Sequence, residues 1–336
     1  MVNDLAYGTR DKRGNWRPNA PIALPPVSAG ALKKLPGFVL GYLFGWNTLY
    51  MAIALAYWHW ALPETQVMAS LEWGWTLRIL ALNIAGAALF FGAFELRLYM
   101  QRAQERRFKY NGTFPAEKPS DVFWFRSQAW DNALRSLFVT VPIGTAIMVV
   151  VMWLMASGAV PSSDNPIWVI ALVLFAPILH EGYFFFVHRA IHWEPLYKRV
   201  HSVHHNSINP SPWSSLSMHP VESTLYYGAL VLQLALFSNP FVVLWLFVLA
   251  TFGAIVGHLG FDRLELGQER SVTSHAYAHY LHHKYFEVNY CDDGVLPWDQ
   301  WFGTWHDGTK EADERMKARF RAKREAKARR TGGSAK

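Results

Sequence analysis

Thirteen of the fourteen histidines lie between His180 and His306, and most recur at intervals of three or four residues. They form His188-x-x-x-His192, His201-x-x-His204-His205 and His275-x-x-x-His279-x-x-His282-His283. An α-helix repeats every 3.6 residues, so each group places two or more imidazoles on one face. Neutral imidazole is the commonest side-chain metal ligand. Eight or more such rings exceed the four positions around a zinc ion and suit a pair of transition-metal ions.

The eight histidines of the HxxxH and two HxxHH motifs, namely His188, His192, His201, His204, His205, His279, His282 and His283, are the expected ligands. His258, between Gly257 and Gly260 where small neighbours allow close backbone approach, and His275 are added to that set. His219 reads equally well as a group supporting a ligand, and His180 as a core histidine on an apolar helix. His306 and His59 read as interfacial. Among the acids, Glu222, Asp292 and Asp299 are candidates for orienting imidazoles by accepting the remote ring N–H, and a loop or cap role is the competing reading. Soluble di-iron bundles need four carboxylates and two Glu-x-x-His pairs; nothing in the chain supplies them.

The elements that must carry these rings are membranous. The chain has 336 residues, 51% hydrophobic and 17% charged, with 16 tryptophans, a composition that favours a membrane protein. Residues 1–35 are polar and proline-rich and read as an irregular cytoplasmic N-terminus without a cleavable signal. Residues 36–165 read as transmembrane helices with a basic loop, 166–309 as the catalytic domain, and 310–336 as a basic cytoplasmic tail. Apolar stretches at about 37–61, 76–99, 137–157 and 167–187 are long enough to cross a bilayer. A further region, about 224–257, is interrupted by Ser238-Asn239-Pro240 and reads as a helical hairpin. The fold expected is all-α: an integral-membrane helical bundle with a cytoplasmic helical cap that holds the polyhistidine dimetal site.

Charge sets the expected orientation. Residues 62–74 and 158–166 contain no Lys or Arg, whereas the segment from Arg97 to Arg135 carries Arg102, Arg106, Arg107, Lys109, Lys118 and Arg126. The positive-inside rule places that segment, both termini and the metal site in the cytoplasm. From Arg315 to Lys336 there are ten basic residues and one acid, which fits a tail against anionic lipid better than a nucleic-acid contact. The single cysteine, Cys291, excludes an internal disulfide, a CxxC pair and a self-contained four-cysteine cluster.

Ligand type alone leaves Zn, Cu, Fe and Ni open. Location narrows the choice, because a site at the mouth of a membrane bundle meets lipid chains or sterols, whose C–H bonds need a strong oxidant. Two irons with O₂ supply one, and redox-inactive zinc does not. The pattern resembles the fatty-acid hydroxylase/sterol desaturase superfamily over roughly 180–306. The residues that carry the likeness are the three histidine motifs, Met218-His219-Pro220-Val221-Glu222 and Trp298-Asp299-Gln300-Trp301-Phe302-Gly303-Thr304. His180-Glu181 stands where the family usually has an aspartate.

The resemblance implies a membrane di-iron enzyme that uses O₂ and electrons from a separate donor protein. It implies that His188, His192, His201, His204, His205, His279, His282 and His283 are catalytic as metal ligands, with His258 and His275 as further ligands. The reaction expected is O₂-dependent oxidation of a membrane-lipid C–H bond, with fatty-acyl or lipid hydroxylation first and sterol desaturation or sterol methyl oxidation as the alternative. A zinc-dependent membrane hydrolase is the rival of another class, although it uses only half the histidines. A metal transporter would instead spread its ligands along the crossing helices.

Overall fold

The computed structural model describes residues 2–24, 33, 35–115, 119–267, 269–291 and 294–330. Asp292 and Lys118, both singled out above, lie outside the described residues. The helices used below are α1 (Leu35–Phe44), α2 (Trp46–Trp60), α3 (Trp73–Glu95), α4 (Gln128–Arg135), α5 (Val141–Ala156), α6 (Pro166–Ile191), α7 (Ser202–His205), α8 (Pro220–Tyr227), α9 (Pro240–Gly257), α10 (Tyr277–Tyr285), α11 (Trp298–Trp301) and α12 (Lys310–Arg330). Five helical stretches among the described residues are long and apolar enough to cross a membrane: Leu35–Trp60, Trp73–Met100, Gln128–Ala156, Pro166–Ile191 and Pro240–Gly257.

α9 is the central post of this bundle. In its apolar window 72% of residues are buried, against 11% for Leu35–Trp60 and 17% for Pro166–Ile191, so the outer helices offer most of their surface to lipid. Without a hydrophobic drive between helices in lipid, contact depends on small residues and polar bonds. Both occur. Asn83 Nδ2 donates to Thr145 Oγ1 at 2.8 Å and Tyr57 Oη to Asn83 Oδ1 at 2.6 Å, which ties α2, α3 and α5 together. Gly144 lets the ring of Tyr227 approach so closely that a Cβ there would lie 2.5 Å from it.

The expected hairpin at 224–257 is unequal. Its first arm is broken into α8, a 3₁₀ turn at Gly228–Leu230 and a four-residue helix at Leu232–Ala235, and only α9 is a full-length helix. Asn239 caps α9 by accepting from Val242 N at 3.1 Å, and Pro240 follows at the first helical position, where its missing N–H costs nothing. The third crossing begins nine residues earlier than its apolar pattern suggests. α4 carries buried Asp131 and Asn132, paired with Arg135 and Ser207, and a π-helical stretch at Ser136–Thr140 joins it to α5. Polar residues satisfied by partners leave no hydropathy signal.

Two further departures concern the cap. Residues 1–35 are not wholly irregular: β1 (Gly8–Arg10) pairs with β2 (Trp16–Pro18), with Gly14 at φ +81 in the turn. Trp16 is buried against Phe108 and Tyr110, and this core anchors the hairpin beneath the cap. The cap is also not purely helical, because β3 (Arg263–Leu266) pairs with β4 (Arg270–Thr273) directly after α9. Tyr110 N donates to Gly260 O at 3.0 Å, so the basic loop after α3 packs on the cap. His306 is buried here, stacked on Tyr285 at 5.1 Å between ring centroids, and is not interfacial.

Candidate metal centre

The sequence brings imidazoles to one end of the bundle from four places: the end of α6, the turn of α7 with the π-helical Tyr197–His201 before it, the C-cap of α9, and α10. Nine of them converge into two groups. His188, His192, His201, His205 and His282 form the first, and His204, His258, His279 and His283 form the second. Within each group the ligating atoms all lie within 4.8 Å of one another. Only His192 is partly exposed, and the other eight are buried.

Helix geometry explains how each HxxHH motif is divided. At about 100° per residue, positions i and i+4 point within about 40° of each other, whereas i+3 points about 60° to the other side of i. His201 and His205 accordingly share the first group while His204 turns to the second. His279 and His283 share the second group while His282 turns to the first. The two motifs interlock, each supplying a pair to one group and a single ring to the other. π-helical segments recur at functional sites, and His201 closes one here.

The spacing of the facing nitrogens is informative. In the first group, Nε2 atoms are 3.1 Å apart for His192 and His282, 3.0 Å for His192 and His201, 3.0 Å for His201 and His205, and 3.1 Å for His205 and His282. In the second, His258 Nε2 is 2.7 Å from that of His279 and 3.3 Å from that of His204, and His279 is 3.0 Å from His283. Imidazoles bound at about 2.0–2.1 Å, the zinc value, would have neighbouring nitrogens about 3.0–3.4 Å apart.

Hydrogen bonds on the remote nitrogens fix which side carries the proton. His188 Nδ1 faces Tyr290 O at 2.8 Å, His282 Nδ1 faces Val288 O at 2.7 Å and His258 Nδ1 faces Ala254 O at 2.9 Å. A carbonyl only accepts, so in these neutral rings the proton sits on Nδ1 and Nε2 is a bare lone pair. Lone pairs converging at about 3 Å repel unless a cation lies among them. The donor set therefore fits a dimetal site.

Electrostatics agree. Burial, reinforced by the neighbouring rings, pushes the pKa of His192 down to about 2, and burial pushes that of His279 down to about 3, from an ordinary 6.5. His201, His204, His205, His258, His282 and His283 are held well below the ordinary value, by burial first and by other histidines second. The rings are neutral at pH 7, the form that coordinates a metal.

His275 is not brought into either group. It is exposed, with its Nε2 3.4 Å from Thr273 Oγ1, because the chain turns through φ +58 at this residue just ahead of α10. His219 instead caps α8, its Nδ1 accepting from Val221 N at 3.2 Å. His180 lies outside both groups, edge-on to Tyr226. Glu222 does face an imidazole, with Oε1 2.7 Å from His201 Nδ1. Asp299 does not, and binds the backbone N–H groups of Tyr290 and Cys291. Glu181 also binds backbone, accepting from Val295 N at 2.6 Å and Leu296 N at 2.7 Å. The carbonyls of Val288, Tyr290 and Ala254 escape sequence reasoning, since every residue has a carbonyl and no side-chain type marks it.

Beside the histidines is a cavity of about 560 Å³, within the range of about 300–1,000 Å³ usual for small-molecule sites. Phe38, Tyr42, Phe184, Leu249 and Val256 contribute to its largely apolar wall, and His188, His201, His204, His258 and His279 close one end.

Residues 172–304 match the family model "Fatty acid hydroxylase", a segment that contains all nine converging histidines, and the likeness drawn from the motifs is borne out. The chain is 28% identical over 146 residues to methylsterol monooxygenase 1 of Gallus gallus, covering 42% of this chain and 49% of the relative. It is 29% identical over 126 residues to a Delta(7)-sterol 5(6)-desaturase of Gibberella zeae, covering 37% and 38%. It is 35% identical over 107 residues to a very-long-chain aldehyde decarbonylase of Oryza sativa subsp. indica, covering 31% and 40%. The chain spans about half or less of the length of these relatives. No solved structure matches.

Proposed function

We propose that the protein is an O₂-dependent non-haem di-iron oxidoreductase that oxidises a C–H bond of a membrane lipid, most simply by hydroxylation. The observation that carries this reading is the convergence of nine imidazoles, eight of them buried and five of them lining an apolar cavity, in a membrane bundle. His188, His192, His201, His205 and His282 would hold one iron, and His204, His258, His279 and His283 the other. When bound, the pair supplies O₂ activation and hence an oxidant strong enough for an unactivated C–H bond.

The chain's own residues do the rest. The Nδ1 bonds of His188, His201, His258 and His282 keep each Nε2 directed inward. The apolar wall excludes water and selects a lipid chain or ring system, and holding one carbon at the histidine end gives regioselectivity through proximity. Within that wall, Tyr50 Oη and His180 Nε2 have no hydrogen-bond partner among the described residues and are available to a substrate oxygen. We place the cap in the cytoplasm, since Arg102, Arg106, Arg107 and Arg126 lie in the loop on the cap's side. Electrons would come from a separate donor protein.

Sterol desaturation or sterol methyl oxidation is the second reading, favoured by relatives named as methylsterol monooxygenase and sterol desaturase. Lipid extracts of cells expressing the wild type or His204→Ala, grown with and without O₂, test both readings. An oxygenated or newly unsaturated lipid that needs O₂ and His204 supports the proposal and identifies the substrate. Lipid turnover in anaerobic culture refutes it.

A further inference from the structure

Two of the five imidazoles in the first group take their Nδ1 partner from one short stretch of backbone. Val288 O faces His282 and Tyr290 O faces His188, so carbonyls two residues apart serve rings from α10 and α6. The chain reaches this position by leaving α10 through Phe286 at φ +64 and then passing through Asn289 at φ +51. Non-glycine residues enter that region at a cost, least for asparagine, and they persist there only where the surroundings hold them.

The surroundings here do so with side chains. Asn289 Nδ2 donates to His306 O at 3.0 Å and to Ala278 O at 3.3 Å, and its Oδ1 accepts from His306 N at 2.8 Å. Asp299 accepts from Tyr290 N at 2.9 Å through Oδ1 and from Cys291 N at 2.8 Å through Oδ2. Thr304 Oγ1 donates to Asp299 Oδ1 at 2.6 Å. Asn289 and Asp299 are both buried. Of the second group, His258 takes its Nδ1 partner from elsewhere, Ala254 O within α9.

From this geometry we infer that Asn289 and Asp299 are positioning residues for one of the two metal sites. They clamp the Val288–Tyr290 backbone so that its carbonyls hold His188 and His282 in the tautomer that points a bare Nε2 at the first site. The inference rests on the dimetal reading above. It extends that reading to a pair of side chains that touch neither metal nor substrate, and it makes the two sites separately adjustable.

Partners that orient metal-bound histidines are worth about 10–100-fold in metal affinity. Asp299→Asn keeps the side chain's shape but leaves one backbone N–H facing an amide nitrogen. The test is EDTA titration of the purified, iron-loaded full chain in detergent, with iron per chain measured at each concentration. Asp299→Asn is expected to lose one of its two irons at an EDTA concentration at least tenfold below that required by the wild type. The other iron should leave at the wild-type concentration. Asn289→Gly, which keeps the left-handed backbone while removing the side-chain bonds, should behave in the same way and serves if Asp299→Asn does not fold.

Retention of both irons at the wild-type EDTA concentration overturns the clamp, as does loss of both together, which would mark a merely structural role. A wild type that binds no iron overturns the dimetal reading and the clamp with it, a result distinguishable from failure of the clamp alone.

Discussion

Glu222 offers the sharpest test of how the centre is held. Its carboxylate faces His201 Nδ1 at 2.7 Å in a fully buried setting, and its second oxygen has no partner among the described residues. Burial raises the pKa of Glu222 well above the ordinary carboxylate value, so its charge depends on a cation at the first site. Glu222→Gln keeps an acceptor in place but removes the charge that such a cation would hold there. A hydrogen bond to a charged group contributes about 1.5–3 kcal/mol and a neutral one about 0.5–1.5 kcal/mol. The difference, about 1–1.5 kcal/mol, corresponds to roughly a tenfold loss of metal affinity at the first site. Glu222→Ala removes the acceptor, leaves a buried N–H unsatisfied at about 1–3 kcal/mol, and frees His201 to move its proton to Nε2, where it blocks coordination. A loss of about 10–100-fold is expected. The assay is competition between the purified protein and a chelator of known affinity, with iron per chain as the readout and thermal unfolding of the metal-free forms as the folding control. Wild-type affinity in Glu222→Ala would refute the reasoning that a remote-nitrogen partner sets the ligating tautomer.

Further expectations follow from the same geometry. His275→Ala should retain both metals, because His275 stands outside both groups; loss of an ion, measured by metal analysis, would return it to the ligand set. The metal-free protein should lose stability as pH falls below about 6.5. The buried rings have folded-state pKa values below their unfolded value, about 2 for His192 and about 3 for His279. The unfolded chain therefore binds more protons in that window, and melts between pH 8 and pH 4 should show a falling midpoint, whereas a flat profile contradicts the assignment. Gly144→Ala should cost about 1–3 kcal/mol by overpacking against Tyr227, read as a lower unfolding midpoint with metal content unchanged. Gly253→Leu, on the cavity wall, should cut lipid turnover at least tenfold and leave both metals in place; unaltered turnover would place the substrate elsewhere.

Much of the site was legible in the sequence because its information is periodic. The intervals in HxxxH and HxxHH are helix intervals, and rings spaced in that way converge when the helices form. Allocation between the two groups was also latent there, since i and i+4 share a direction that i+3 does not, yet it emerges only once both motifs are seen to interlock. His275 matched the same interval to His279 and still departs, because the helix begins at Tyr277 and periodicity has no force in the turn before it. The membrane crossings followed from apolar length except where α4 hides buried Asp131 and Asn132 among satisfied partners. The β1–β2 and β3–β4 hairpins were missed for the opposite reason: strands of three or four residues are too short for an alternating pattern to register. The clamp was least visible, since it operates through main-chain carbonyls and through a carboxylate that grips main-chain N–H groups.

Quantifying metal in the purified chain by mass spectrometry bears most directly on whether these imidazoles serve two irons. Two irons per chain are expected, each lost when a member of its own group, such as His205 or His283, is replaced by alanine. A single zinc per chain, or no bound metal after reconstitution with ferrous iron, would contradict the di-iron reading.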